Sequence, residues 1–343
     1  MPPPAHTLSV ITVAFNEAPH IPRLLESIRR MSNPAHIRIE SVLVDGGSTD
    51  GTPAAARAAG FDKVVDAPGA NIPACRNRGL REAAGGWIAF VDGDCELAAD
   101  WLERAAPLLD GQDSILAGWP AVPPEPMTWV QAAWRFHWVQ KNPRYEEYRG
   151  RRVVLQEGFR LATTRNMVLQ RRVAEQVGGF NEELSTGEDT DFAYRAYLAG
   201  VKVIGDPSLV VTHHGEPATL GAFYRQQVWH ANRKSYRHIL AATGGKVGGN
   251  APRFAAAFLA SLVSAAIGAA GCAVTRNAWW LAAVAPLAAV VGGPALLISA
   301  RGRTLRWLPA LAVLYGAYGL ARAWDLLGLA QSKPSWKSGA SAR

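Results

Sequence analysis

The sequence predicts a doubly wound α/β domain with a mostly parallel sheet, followed by apolar helices long enough to span a membrane. Three observations predict it. Short β-branched runs alternate with helical patterns through the first hundred residues. Each of those runs ends in a polar cluster. Charge and hydropathy then divide the chain of 343 residues into two different objects. Residues 221–343 hold 14 Lys/Arg and a single acid, Asp325, whereas residues 1–220 hold 22 Lys/Arg against 27 acids. The net charge of +8 is therefore no sign of a nucleic-acid partner, because the excess sits with the apolar part. With 49% hydrophobic and 19% charged residues, general disorder is excluded. Cys75, Cys95 and Cys272 stand at unrelated spacings and suggest neither a disulfide framework nor a zinc site.

The elements come in a regular order. Residues 7–15 (TLSVITVAF) read as a strand buried on both faces, broken by Asn16-Glu17-Ala18-Pro19. Ile21, Leu24, Leu25 and Ile28 then recur at helical spacing. A second strand over 37–44 ends in Asp45-Gly46-Gly47-Ser48-Thr49-Asp50-Gly51, ahead of an Ala-rich helix. A short strand over 63–66, a helix over 71–84 and a strand over 87–91 complete a β-α-β-α-β-α-β order, which predicts parallel pairing. Ligands of such sheets bind beyond the carboxyl ends of the strands, where Asn16/Glu17, Asp45 and Asp92/Asp94 converge. The dinucleotide and P-loop glycine patterns are absent. Region 119–152 carries Pro120, Pro123, Pro124 and Pro126, then Trp129, Trp134, Phe136 and Trp138. It reads either as an acceptor- or membrane-contacting segment or as aromatic packing of a connecting helix.

The apolar part contains two charge-free runs, 254–275 and 277–300, separated by Arg276. A helix of 22 residues is about 33 Å long, enough for a hydrocarbon core of roughly 30 Å. A third run, 307–327, is expected either to cross as a short tilted span or to lie in the interface. Met1 to His6 lacks the basic and apolar regions of a cleavable signal, so the acidic domain is expected on the cytoplasmic side. Arg253 before the first run and Arg301, Arg303 and Arg306 after the second agree with that orientation. Phe223 to Leu240 interleaves Arg225, Arg233, Lys234 and Arg237 with Tyr224, Trp229 and Tyr236, which suits a helix lying on anionic headgroups better than a nucleic-acid surface. The sequence thus divides into domains 1–220, 221–252 and 253–330, with a tail over 331–343.

Three clusters carry chemistry. Asp92-Gly93-Asp94 offers two carboxylates at a strand end, and a hard divalent cation such as Mg²⁺ or Mn²⁺ needs one or two carboxylates plus phosphate oxygens. Asp45 can accept hydrogen bonds from a base or ribose, while Ser48, Thr49 or Asp50 can cap the next helix. Gly187-Glu188-Asp189-Thr190-Asp191-Phe192 opens a helix with three acids in its first turn. Asp191 can pair with Arg195, which leaves Glu188 and Asp189 at the mouth, where a carboxylate can act as general base.

Together with Val10–Glu17 (VITVAFNE) and Cys75-Arg76-Asn77-Arg78-Gly79, these clusters stand in an order that resembles the family 2 inverting glycosyltransferases of GT-A fold over about residues 7–215. Within that family the chain is similar to the membrane-anchored bacterial glycosyltransferases of succinoglycan and other exopolysaccharide biosynthesis. The resemblance implies roles position by position. Phe15, Glu17, Asp45 and Arg76 would hold the nucleotide-sugar, and Asp92 would contact ribose or metal. Asp94 would ligate the divalent metal, with either His213 or His214 as a further ligand, although a histidine pair is more often structural. Asp189 would deprotonate the acceptor, with Glu188 beside it. The activity implied is hexosyl transfer to a polyprenyl-diphosphate-linked saccharide at the bacterial inner membrane, with membrane lipid and no nucleic acid as partner. Gly46 stands where many relatives carry a second acid, and Gln226-Gln227-Val228-Trp229 lacks the arginine of processive members. Two rival readings remain, a polyprenyl-phosphate sugar synthase and a catalytically silent scaffold.

Overall fold

In the computed structural model, which describes residues 7–108, 113–118, 122–141, 151–155, 157–247 and 250–327, β1 (Thr7–Ala14) is the strand from which the sheet is built. Its β-branched residues are almost wholly buried, so both faces are covered. β2 (Arg38–Asp45) and β4 (Trp87–Phe90) flank it in parallel, and β3 (Lys63–Asp66) continues in parallel beyond β2. Past β4 the direction changes. β8 (Met167–Gln170) runs antiparallel between β4 and β6 (Ser114–Gly118). β9 (Lys202–Asp206) pairs in parallel with β6, and β7 (Val153–Leu155) closes the edge antiparallel. The order is β3-β2-β1-β4-β8-β6-β9-β7. The register decides where a ligand can sit: Ala14 faces Asp45, and Asp45 faces Asp66, so the parallel strands end level and release their loops at one edge.

A second, two-stranded antiparallel ribbon joins β5 (Cys95–Leu97) to β10 (Val211–His213), with His213 opposite Cys95. Three-residue strands carry no readable period, which is why the sequence leaves 95–97 as loop. The helices pack on both faces. α1 (Ile21–Arg29) buries Ile21, Leu24, Leu25 and Ile28, and α2 (Thr52–Ala59) comes after the Asp45 loop. α3 (Ile72–Glu82) is capped by the Asn71 side chain, which accepts from the Ala74 amide. Gly79 lets α3 lie directly on the sheet, since a Cβ there would stand 2.4 Å from Ile11 Cγ2. α4 (Trp101–Ala105) completes the core beside α1, with Trp101 fully buried.

The chain forms two compact units. The first takes the described residues up to 125 and from 151 to 216; the second takes 126–141 and 217–327. This differs from the expected 1–220 domain. α5 (Trp129–Lys141) belongs to the second unit because Val130 and Ala133 are buried in one cluster with Phe223, Ala295, Ile298, Leu311, Leu314 and Tyr315. Of the two readings of 119–152, aromatic packing describes 129–141: Trp134 stacks on His137 at 4.4 Å, and His137 Nδ1 lies 3.0 Å from the Tyr315 hydroxyl. Residues 119–121 and 142–150 of that region, and the 331–343 tail, lie outside the described residues.

After α6 (Arg171–Val177) and α7 (Glu188–Leu198) of the first unit, the second unit continues with α8 (Leu220–His230) and α9 (Arg233–Ala242). Then α10 (Ala251–Thr275) and residues 278–301 are each long and apolar enough to cross a membrane. The second of these starts as a 3₁₀ segment, Ala278–Val284, and continues as α11 (Ala285–Arg301) with Pro294 inside it. The third run is α12 (Leu308–Leu326), which buries Leu311, Leu314 and Tyr315.

Asn166, at the start of β8, ties the sheet to the ribbon. Its Nδ2 donates to the Leu209 carbonyl at 2.7 Å, and its Oδ1 accepts from Trp101 Nε1 at 2.9 Å. Gly118 makes room for it, because a Cβ there would stand 1.9 Å from Asn166 Nδ2. Asn166→Ala orphans both buried groups, at about 1–3 kcal/mol each. The expected outcome is a thermal midpoint in detergent lowered by roughly 5–10 °C. A midpoint within about 1 °C of the parent would refute this account of the anchor.

Candidate active site

The loops released at the level ends of β1 and β2 are laced together by their own side chains. Asn16 and Glu17 donate their amides to Ser48 Oγ and Thr52 Oγ1, each at 2.8 Å, and Ala18 donates to Asp50 at 3.0 Å. Asn16, at φ +57°, returns its Oδ1 to the Thr49 amide at 2.8 Å. Asp45 is buried and spends its carboxylate on its own turn: Oδ2 accepts from the Gly47 and Ser48 amides at 2.9 Å, and Oδ1 takes the Ser48 hydroxyl. Gly47, at φ +100°, supplies the backbone that this turn requires. The cap expected from Ser48, Thr49 or Asp50 is not what starts the next helix: its N-cap is Gly51, with no side-chain cap bond, and Ser48 and Asp45 instead close the turn. Phe15 is buried just ahead of these loops.

Arg76, on α3, is the buried cation of the site. Its Nη1 pairs with Glu188 and its Nη2 lies 3.3 Å from Asp92, while its guanidinium sits 5.6 Å over the Phe180 ring. Burial works against the charge, but Glu188 and then Asp92 hold it, and the guanidinium pKa is raised. Glu188 is therefore a partner of Arg76, which distinguishes it from its neighbour in the sequence. Asp189 has a hydrogen bond from the Thr190 amide at 2.7 Å. Burial, then the charge of Glu188, push the Asp189 carboxyl up to about 6, against the pull of Arg76. Both acids begin α7, whose N-cap Gly187 stands at φ +74°. Asp191 turns away to Arg195 at 2.8 Å, as the helical spacing predicts.

The ribbon assembles the third group. Pairing Cys95 with His213 carries His213 to Asp94, with Nε2 3.3 Å from Oδ1. Its Nδ1 lies 3.0 Å from Glu216, and Arg165 Nη1 reaches Glu216 at 2.7 Å. Burial would lower the His213 pKa, but Asp94 and then Glu216 raise it to about 10. Burial would raise Asp94, but His213 outweighs it and holds the carboxyl at about 2. Gly215 leaves the room, since a Cβ there would stand 2.0 Å from Asp94 Oδ2. The neighbouring histidine behaves differently. His214 Nδ1 lies 3.0 Å from Arg23 Nη1 and its Nε2 lies 3.2 Å from Glu96. Of the pair, only His213 turns to Asp94. Ligand atoms of Asp94, Cys95 and His213 lie within 4.8 Å of one another.

Glu17 completes the cluster. Burial, then the charges of Asp94 and Asp92, push its carboxyl up to about 8. Two residues escape the sequence reading, Arg165 and Glu216. Glu216 stands three positions after His213, but Arg165 carries no local signature and becomes visible only through the fold.

A mixed α/β sheet that delivers acids from several strand ends to one cleft, opposite an acidic helix start, defines the GT-A class of fold. Residues 9–178 match the family described as Glycosyl transferase family 2, so the chain carries a family 2 glycosyltransferase domain. It is 28% identical over 248 residues to glycosyltransferase AglE of Haloferax volcanii, covering 68% of this chain and 78% of the relative. It is 27% identical over 206 residues to succinoglycan biosynthesis protein ExoA of Rhizobium meliloti, covering 57% of this chain and 60% of the relative. Among solved structures it resembles the mannosyltransferase PcManGT from Pyrobaculum calidifontis, in complex with GDP-Man and Mn²⁺, with a TM-score of 0.57 at 19% identity over 93% of this chain and 87% of that one. That likeness bears on the fold.

The His213 pair makes stability depend on pH with a definite sign. A histidine whose folded pKa is raised contributes fully below its unfolded value near 6.5 and loses that contribution as pH rises toward about 10. In EDTA, the melting midpoint is expected to fall between pH 6.5 and 10, and His213→Gln to flatten that slope. Equal slopes in the two proteins would remove the ion pair from the account.

Proposed function

We propose that the protein is an inverting, metal-dependent hexosyltransferase. It moves one sugar from a nucleotide-diphosphate-sugar to a lipid-linked saccharide in cell-surface glycan assembly, at the cytoplasmic face of a membrane. The observation that carries this reading is the separation of Asp189 from Glu188. One carboxylate is consumed by Arg76, while the next is half-buried, poised at about 6 and free of any cationic hydrogen-bond partner among the described residues. A base with a pKa near the working pH is what proton removal from an acceptor hydroxyl requires.

Asp189 takes the hydroxyl proton onto its carboxylate as the acceptor oxygen attacks the anomeric carbon from the face opposite the diphosphate. The bond from that carbon to the diphosphate oxygen breaks, and the configuration inverts. Arg76, immobilised by Glu188 and Asp92, holds positive charge beside the departing group. Phe15, Glu17 and Asp45 form the wall for base and ribose. The residues present fit a divalent cation: burial, then the charges of Asp94 and Asp92, raise Glu17 even with Arg76 and His213 beside those acids, and the space beside Asp94 is one that a Cβ on Gly215 would fill. Asp94 and His213 would hold the metal, with Asp92 beside them and Glu216 orienting the His213 ring through Nδ1. When bound, it supplies positive charge to the diphosphate.

Membrane attachment rests on α10 and residues 278–301, which leave Val263, Ile267, Val274 and Trp279 exposed, a surface that water does not favour. The cations flanking these helices, Arg253 on one side and Arg301, Arg303 and Arg306 on the other, support a cytoplasmic catalytic unit. The relative named for succinoglycan biosynthesis supports a role in polysaccharide assembly.

Protein purified in detergent with Mg²⁺ or Mn²⁺ and a panel of nucleotide-sugars tests the reading through release of nucleoside diphosphate. Release should require one donor, the metal and a lipid-linked saccharide; release onto bare polyprenyl phosphate would replace this reading with the synthase, and silence across the panel would refute both. Asp189→Asn is expected to cut transfer by about 10²–10⁴-fold while donor binding survives. The parent rate should climb as pH rises through about 6, since Asp189 must lose its proton to act. Asp94→Ala is expected to lose transfer and the response to metal together.

A further inference from the structure

We infer that Arg165 is a binding residue for a diphosphate group, near the same acids, Asp92 and Asp189, that Arg76 faces. The inference rests on the transferase reading above and deepens it. Both arginines face the same acids, but they are engaged differently. Arg76 is enclosed, with Nη1 on Glu188 and Nη2 on Asp92. The Arg165 side chain is 34% exposed and is held by one nitrogen: Nη1 lies 2.7 Å from Glu216 Oε1 and 3.4 Å from His213 Nδ1. Glu216 thereby fixes the guanidinium at one corner. The remaining nitrogens, Nε and Nη2, have no hydrogen-bond partner among the described residues, which leaves an open edge.

That edge lies among charges that give it a purpose. Arg165 is within electrostatic reach of Asp92 on the β4 side and of Asp189 on α7, and His213 at the end of β10 and Glu216 just beyond it face its Nη1. The cleft therefore holds the carboxylates of Glu17, Asp92, Asp94, Glu188, Asp189 and Glu216, and a diphosphate entering it meets repulsion. Arg76 cannot turn to meet the ligand without breaking a buried pair. Arg165 offers a guanidinium edge already oriented, and that planar edge matches two phosphate oxygens at once. The donor's diphosphate and the diphosphate of a lipid-linked acceptor share this chemistry.

Calorimetry with inorganic pyrophosphate and Mg²⁺ on the full-length protein in detergent tests the inference without turnover. The parent should bind, Arg165→Gln should weaken binding by about tenfold or more, and Arg165→Lys should keep part of it. Arg172→Gln, at an exposed arginine paired with Asp113, should leave the affinity unchanged. Equal affinity in parent and Arg165→Gln, with matching melting curves, would overturn the inference even if the protein proves to be a transferase. Equally, binding lost in Arg165→Gln but without sugar transfer in the parent would sustain it and sink the transferase reading. The source of the diphosphate is settled by kinetics. A KM raised for the nucleotide-sugar, with weaker nucleoside diphosphate binding, assigns Arg165 to the donor. A KM raised for the lipid-linked saccharide alone assigns it to the acceptor. If Arg165→Gln misfolds, Arg165→Lys carries the test: a fall in pyrophosphate affinity at an unchanged melting midpoint supports the inference, and parental affinity refutes it.

Discussion

Like charges brought together at one edge of a sheet are the constraint on which the rest of this structure depends. Parallel strands ending level cannot avoid releasing their loops side by side, and here Glu17, Asp92 and Asp94 meet there. Two unit charges about 4 Å apart interact by roughly 4 kcal/mol at an effective dielectric of 20. The fold answers with cations brought from distant sequence: Arg76 from α3, His213 from the ribbon and Arg165 from the turn before β8. Arg76 joins α3 to the start of α7 and to the loop after β4, so the ion pairs that relieve repulsion there also hold those elements together. Glu17 shows where relief is incomplete, because its carboxyl is pushed up to about 8 by burial and by its neighbours.

The division of labour within the Glu188-Asp189 pair arises from the same constraint. In the first turn of α7, adjacent residues point in different directions, so a single buried guanidinium can take only one of them. Arg76 takes Glu188, and burial, with the charge on Glu188 added to it, then raises Asp189. A proton acceptor tuned toward neutrality is thus produced by fixing its neighbour. Asp45 illustrates the opposite fate: its carboxylate is occupied by the Gly47 and Ser48 amides, so its contribution to a ligand site passes through the shape of the turn.

What was legible in the sequence was what local period and local chemistry encode. The strands β1 to β4, the helices between them, the acids at their ends and the two long apolar helices all announce themselves within ten to twenty residues. The β5–β10 ribbon does not, because three residues carry no period and their pairing spans more than a hundred positions. For that reason His213 and His214 could not be separated from sequence, although their surroundings differ completely once Cys95 faces His213. The assignment of α5 to the second unit was hidden for a similar cause: its partners, Phe223, Ala295 and Leu311, lie ninety or more residues downstream.

Arg165 shows how function can sit in a residue with no motif. It lies one position before Asn166, whose side chain is fixed by Trp101 and the Leu209 carbonyl, so the backbone that presents Arg165 is itself rigid. A guanidinium on a mobile stem loses conformational freedom when it binds, whereas one already held at Nη1 by Glu216 has lost part of it in advance. The Trp101–Asn166–Leu209 anchor and the Arg165–Glu216–His213–Asp94 chain are therefore two faces of one device. The first is uncharged, hydrogen-bonded and buried, and fixes the turn; the second is charged and partly exposed, and uses the turn's rigidity to keep a cation aimed where acids would otherwise repel the ligand.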